Sequence, residues 1–245
     1  MTWIAVLLVG VGVTDLARSI RPVPIVVECV GAAVAVWLGL LAGLTEPADL
    51  VALLLVAVAV VVWGQLVTRA FAPGGREWPA LLALGSALLL SVLCSGWASP
   101  AGGLLGDWLA SVQLPALQRV PPDRALLLLG VFLVQLSTGN VIVRLVLAAT
   151  DTVDPALHDT ADDPEQQLKG GRLLGPMERT LIVGLGLAGQ LTAASIVIAA
   201  KGLLRWPELQ SRREQEHVHR LTEYFLVGSF VSWLFALASL ALLAR

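Results

Sequence analysis

Residues 50–70 read LVALLLVAVAVVVWGQLVTRA, an apolar run from Leu50 to Ala70 in which Gln65 and Arg69 come only near the end. At about 1.5 Å of rise per residue such a run reaches across roughly 30 Å of hydrocarbon, which takes about 20 apolar residues. The rest of the chain has the same character. Of 245 residues, 57% are hydrophobic and 14% charged, and the mean hydropathy is +0.82. A soluble domain carries about 25% charged residues, so this chain lacks the polar surface to cover a globule in water. A soluble enzyme, a disordered chain and a nucleic-acid binder with a basic face are all poor fits. The net charge of −2 sets up no field for polyanions. The reading is an all-α, polytopic membrane helix bundle.

Working outward from this run, apolar segments are expected at 2–17, 24–44, 50–70, 79–97 and 125–149, with two more at 179–200 and 224–244. That makes six to seven apolar segments. The first is read as a full or half span; it has no basic residue before it and no small-residue cleavage site after it, both of which a cleaved signal peptide needs. Trp78 and Trp97 bracket the fourth, as aromatic residues do at both edges of a bilayer. Pro121-Pro122-Asp123 opens the fifth with a proline and an acid at the positive end of the helix dipole. Residues 102–113 are too polar to span, but Leu104, Leu105, Trp108, Leu109 and Val112 recur at helical spacing, which predicts one interfacial helix. The six acids of 151–167 read as a solvated loop. Three regions follow: a five-helix membrane region over 1–149, an acidic cytoplasmic loop over 150–170, and a C-terminal membrane module with a basic loop over 171–245. Cys29 and Cys94 lie inside apolar runs and predict no disulfide framework.

Basic residues favour cytoplasmic loops. Arg18 and Arg21 place the first turn inside, Glu46 and Asp49 the second outside, and Arg69 and Arg76 the third inside. A full crossing by 179–200 would then put Lys201, Arg205, Arg212, Arg213 and Arg220 outside, against the rule. A re-entrant hairpin over 179–205, broken near Gly189-Gln190, removes the conflict and keeps 151–178 and 201–221 on the cytoplasmic side. Such a break is tolerated only where protein or a water cavity surrounds it.

The last third carries three linked motifs. They are Gly171-Arg172-Leu173-Leu174-Gly175-Pro176-Met177-Glu178-Arg179, then Ala199-Ala200-Lys201-Gly202-Leu203-Leu204-Arg205-Trp206-Pro207-Glu208-Leu209, then Thr222-Glu223-Tyr224-Phe225-Leu226-Val227-Gly228-Ser229 with Ser232 after it. Over about 168–240 they resemble the C-terminal module of a bacterial integral membrane protein family catalogued only as a domain of unknown function. Gly202 and Trp206 depart from it, the family having Ser and Phe there. The resemblance implies a multi-pass protein of the bacterial inner (cytoplasmic) membrane and carries no activity with it.

Polar residues inside apolar helices are the candidates for function. Gln135, Ser137, Thr138, Asn140 and Arg144 of the fifth segment, with Gln190 at the glycine break, form a candidate polar cavity; interhelical glue is the plainer alternative. Glu178, Arg179, Lys201, Arg205, Glu208 and Glu223 sit at the ends of apolar stretches and form a candidate interfacial charge cluster. Asp15 and Glu28 flank the first turn and are expected to pair with Arg18, Arg69 or Arg144, or to relay protons. Arg144 in turn is expected to meet Asp15, Glu28 or Glu178. Gly184-Leu185-Gly186-Leu187-Ala188-Gly189 spells a dinucleotide fingerprint but lacks the strand before it that the motif needs. His217 and His219 are too few for a metal site. No cofactor, metal or catalytic group is predicted. The expected partners are the lipid bilayer and a protein partner or second copy within it, with no nucleic acid. A transporter or channel-like protein is the first functional expectation, a non-catalytic membrane subunit the second, and an enzyme acting on a lipid-linked substrate a weaker third.

Overall fold

A computed structural model of the chain describes residues 1–21, 23–150, 171–210 and 215–244. Every regular element among them is helical: α1 (Thr2–Ile20), α2 (Val26–Leu41), α3 (Pro47–Ala70), α4 (Trp78–Leu93) continued by a 3₁₀ turn to Trp97, α5 (Gly103–Ser111), α6 (Pro115–Gln118), α7 (Pro122–Leu136), α8 (Thr138–Ala149), α9 (Gly171–Leu187), α10 (Leu191–Gln210) and α11 (Gln215–Leu243). The chain divides into two compact units, Met1–Arg69 with Trp78–Thr138, and Ala70–Glu77 with Gly139–Arg245. The first unit therefore ends inside the fifth apolar segment, ahead of the acidic loop.

Among the described residues, four helices are long and apolar enough to cross a membrane: Thr2–Ile20, Pro47–Ala70, Trp78–Trp97 and Phe225–Leu243. A bent pair, α7 with α8, brings the number to five if it counts as one span. Six to seven spans are not reached by this measure, and the reasons are local. In the second segment the helix occupies only Val26–Leu41, 16 residues, about 24 Å. The fifth segment, expected as one helix, is interrupted at Ser137, where the chain bends by 49°. The stretch 179–200 is divided at Gly189. There the Gln190 N–H donates to Leu185 O (2.8 Å) and the Gly189 N–H to Gly186 O (3.0 Å), the paired bonds of a helix end whose residue past the cap is left-handed. Gly189 supplies that conformation, with φ +74°. The apolar part of α10 is then Leu191–Ala200, 10 residues, half of what a crossing needs.

In the first unit α1 is the central helix and α7 and α2 flank it. Two glycines of α1 face opposite ways. Gly10 lies against Gly31 and Ala35 of α2 and Val60 of α3, while Gly12 lies against Leu133 of α7. Gly130 of α7 answers with its own bare face against Ala5 and Leu8. Small residues at these crossings bring backbones close, which drives helix association where lipid removes the usual hydrophobic incentive. A Cβ at Gly130 would stand 2.9 Å from Ala5 O, a backbone atom that cannot swing aside. Gly130→Val is accordingly expected to destabilise the first unit by about 1–3 kcal/mol through overpacking, read as a lower midpoint of reversible unfolding in detergent micelles.

The outer faces are hydrocarbon. Leu50, Val51, Leu54, Leu55 and Val58 of α3 and Leu82, Leu89, Leu90 and Leu93 of α4 are all exposed. An open groove of about 340 Å³ between these two helices, lined by Val56, Ala59, Ala87 and Leu90 among others, is almost wholly apolar. Trp78 and Trp97 stand exposed at the two ends of α4 and its 3₁₀ extension. On α5, Leu104 and Trp108 face outward while Leu109 is buried.

In the second unit α9 packs against both α10 and α11. Gly186 of α9 lies directly against Leu240 of α11.

Candidate functional site

The ends of α1 and α2 meet across the turn 21–25, and the helix ends dictate what can be charged there. Arg18 lies in the last turn of α1, at its negative dipole end, and Glu28 in the first turn of α2, at its positive end. Asp15 stands one turn before Arg18 on the same helix face. Arg18 reaches both acids: Nη1 lies 3.4 Å from Asp15 Oδ1 and Nη2 3.4 Å from Glu28 Oε1. Nη2 also donates to the Gly64 carbonyl of α3 at 3.0 Å. Glu28 is completely buried and Asp15 nearly so, whereas the Arg18 side chain keeps 17% of its surface accessible.

α3 completes the shell. The indole N–H of Trp63, itself buried, donates to both oxygens of Asp15 at 3.2 and 3.1 Å. The Gln65 amide donates to Glu28 Oε2. Gly64 between them has no side chain because the Glu28 stem occupies that space. The fourth wall is Thr138, buried, with its hydroxyl facing the Asp15 carboxylate. Close by in the chain, Gln135 and Ser137 are buried too. Ile25, which caps α2 just before this cluster, holds φ +69°, a conformation costly for a β-branched side chain and found where the surrounding structure enforces it. Two carboxylates and one guanidinium leave the cluster with a net charge of −1 when all three are ionised.

Among the described residues, the chain thus brings Asp15 and Glu28 to Arg18. In the second unit the Arg144 guanidinium sits over the Phe71 ring, 5.8 Å from the centroid.

A second polar cluster lies in the second unit. Arg179 of α9, only 1% exposed, donates to Asn140 Oδ1 of α8 at 2.8 Å and to Ser232 Oγ of α11 at 3.1 Å. Two glycines make room for it, Gly139 against its Nε and Gly175 against its Nη1. Its neighbour Glu178 accepts the Trp233 indole N–H at 2.6 Å. Glu178 and Arg179 are both buried, and Asn140 belongs with them through its contact to Arg179. Gln190 does not; it is exposed at the start of α10, with the eight residues from Arg179 to the end of α9, about 12 Å, in between. The side chains of Lys201, Arg205, Glu208 and Glu223, and the His217 and His219 pair, lie outside the described residues.

The chain matches no family model, no curated protein and no solved structure.

One regularity was hidden from sequence reasoning. Three buried carboxylates each accept an indole N–H: Asp15 from Trp63, Glu178 from Trp233, and Asp49 from Trp3 at 2.7 Å. The last belongs to a polar staple at the other end of α1, where the Thr2 hydroxyl donates to Asp123 Oδ1 (2.8 Å), Ala101 N–H donates to the same oxygen (2.8 Å), and Ser99 N–H reaches Asp49 (3.3 Å). The signal for Trp63 was available: a tryptophan in the middle of an aliphatic run, away from either membrane edge, needs a partner for its N–H.

Proposed function

We propose that the chain is a multi-pass membrane protein of the bacterial inner membrane that moves ions or ion-coupled solutes, and that the Asp15–Arg18–Glu28 cluster is its charged centre. The observation that carries this reading is the burial of two carboxylates against a single arginine inside apolar helices. Buried ionisable groups are costly, and where a membrane protein keeps them they mark ion and substrate paths. A purely structural ion pair would balance its charges; this cluster does not. The exposed apolar faces of α3 and α4 support the membrane setting, and the resemblance of 168–240 to a bacterial family supports the compartment. The short arms on either side of Gly189 suit a re-entrant hairpin over 179–205 that returns Lys201 and Arg205 to the cytoplasmic side, and the exposed Leu104 and Trp108 suit an α5 that lies in the interface.

The test is electrical. Protein reconstituted on a solid-supported membrane is expected to move charge when pH or Na⁺ is stepped, and the Asp15→Asn/Glu28→Gln double variant to lose that response. Silence of the wild-type protein to both steps, together with stoichiometric co-purification of a partner, would replace this reading with that of a non-catalytic membrane subunit.

A further inference from the structure

We propose that the groove between α3 and α4 binds one acyl chain of an amine-headed phospholipid of the phosphatidylethanolamine class. The site is separate from the charged cluster between α1 and α2 and goes beyond the transport reading.

The shape of the groove selects its occupant. Trp3 and Leu7 of α1 form the floor, and residues 52–62 of α3 and 83–94 of α4 form the walls. Alanines hollow both walls, Ala52 and Ala59 on one and Ala83 and Ala87 on the other. At about 1.5 Å of rise per residue the walls run for about 15 Å. A volume of about 340 Å³ over that length leaves a section of roughly 23 Å², about 5 Å across. A helix with its side chains is about 10–12 Å wide, so a helix of a second copy is twice too wide to enter. One file of methylene groups fits, since non-bonded carbons rest about 4 Å apart.

The polar groups along the groove are already engaged. Ser86 donates to Ala83 O (3.0 Å) and Ser91 to Ala87 O (2.8 Å), each within α4, and the Trp3 indole N–H goes to Asp49 (2.7 Å). A polar ligand would exchange its bonds with water for unmatched contacts, which is costly; hydrocarbon loses nothing there. Leu55 and Leu90 on the rim are exposed, so the groove opens onto the same apolar surface as the outer faces of the two helices. Charge at one end selects the headgroup. No acid or base of the Asp, Glu, Lys, Arg or His type occurs on α4 from Trp78 to Trp97. On α3 the charges at the Trp3 end of the groove are Asp49, one turn before Ala52, and the exposed Glu46. These carboxylates repel a purely anionic headgroup and attract an ammonium, which brings three N–H donors.

Photolabelling of the full chain in vesicles tests the site. The probes are phosphatidylethanolamine and phosphatidylglycerol carrying the same diazirine-bearing acyl chain, and the labelled residues are read by mass spectrometry after proteolysis. Leu54 and Leu89, exposed and outside the groove, report contact with the bulk bilayer. The expected result is labelling of the groove residues several-fold above Leu54 and Leu89, and several-fold stronger from the amine-headed probe, with Glu46→Gln narrowing that difference. Filling the groove with Ala59→Phe/Ala87→Phe is expected to cut its labelling several-fold and leave Leu54 unchanged. Groove labelling no higher than that of Leu54 and Leu89 reduces the contact to ordinary bilayer lipid and overturns the proposal, as does equal labelling by the two headgroups; both comparisons use the wild-type chain and need no variant to fold. An unlabelled groove, with a disulfide between copies through Cys94 in Cys29→Ser, gives this face to a second copy and overturns it too. Absence of label at Leu54 and Leu89 as well would remove the membrane setting itself, so the two readings fail separately.

Discussion

Arg18→Leu is expected to be the most damaging single substitution in the first unit. It removes the one cation from between two buried carboxylates and strands both, while the Gly64 carbonyl loses one of its two side-chain donors, the other being the Thr68 hydroxyl at 2.9 Å. Breaking a buried pair by removing one partner costs about 3–5 kcal/mol, because the orphaned charge stays in place, and here there are two orphans. The same logic predicts a rescue. Adding Glu28→Gln and Asp15→Asn to Arg18→Leu removes the stranded charges and is expected to recover most of the loss. Reversible unfolding in mixed detergent micelles measures both. A triple variant no more stable than Arg18→Leu alone would mean that the arginine matters for its packing, and that the charges it touches do not.

Arg179→Leu is expected to do comparable harm in the second unit, by a different route. Its guanidinium ties α8 to α11 through Asn140 and Ser232 while itself sitting on α9. Leucine removes the guanidinium's hydrogen bonds to both, at about 1–3 kcal/mol for the buried Ser232 hydroxyl that loses its donor, and leaves a gap beside Gly139 and Gly175. Arg179→Lys keeps the charge but cannot fork to two acceptors at once, so it should recover only part of the loss. Thermal unfolding of the two variants in the same detergent gives the comparison, and a lysine variant as stable as wild type would show that charge alone is what the site needs.

The helices themselves were legible because the periods of apolar residues and the prolines and glycines that punctuate them are local properties. Asp15, Arg18 and Glu28 were legible as a group for the same reason: three residues apart on one helix, then just past a short turn. What the sequence hid depended on partners far along the chain. The fifth segment read as one helix because Ser137, Thr138 and Gly139 neither disrupt a hydrophobic count nor announce a bend; all three are buried, so the interrupted backbone is shielded from lipid. Glu178 and Arg179 read as interfacial because they end an apolar stretch. Their burial follows from Trp233 and Ser232, more than fifty residues later, which no local pattern reveals. The tryptophans at the ends of α4 drew attention to membrane edges and away from Trp3, Trp63 and Trp233, whose indoles serve buried acids.

The pairing of Asp15 with Arg18 on one helix and with Trp63 on another has a meaning in time as well as in space. Trp63 follows Asp15 by 48 residues. At about 5–20 residues per second of synthesis, a ribosome takes on the order of 2–10 s to produce it after Asp15 has emerged. During that interval Asp15 sits in an otherwise apolar segment with no indole to meet it. Arg18, already present one turn away, is the partner made with it. The intrahelical pair thus gives the aspartate a counter-charge from the start, and the indole takes its place only when α3 has been made.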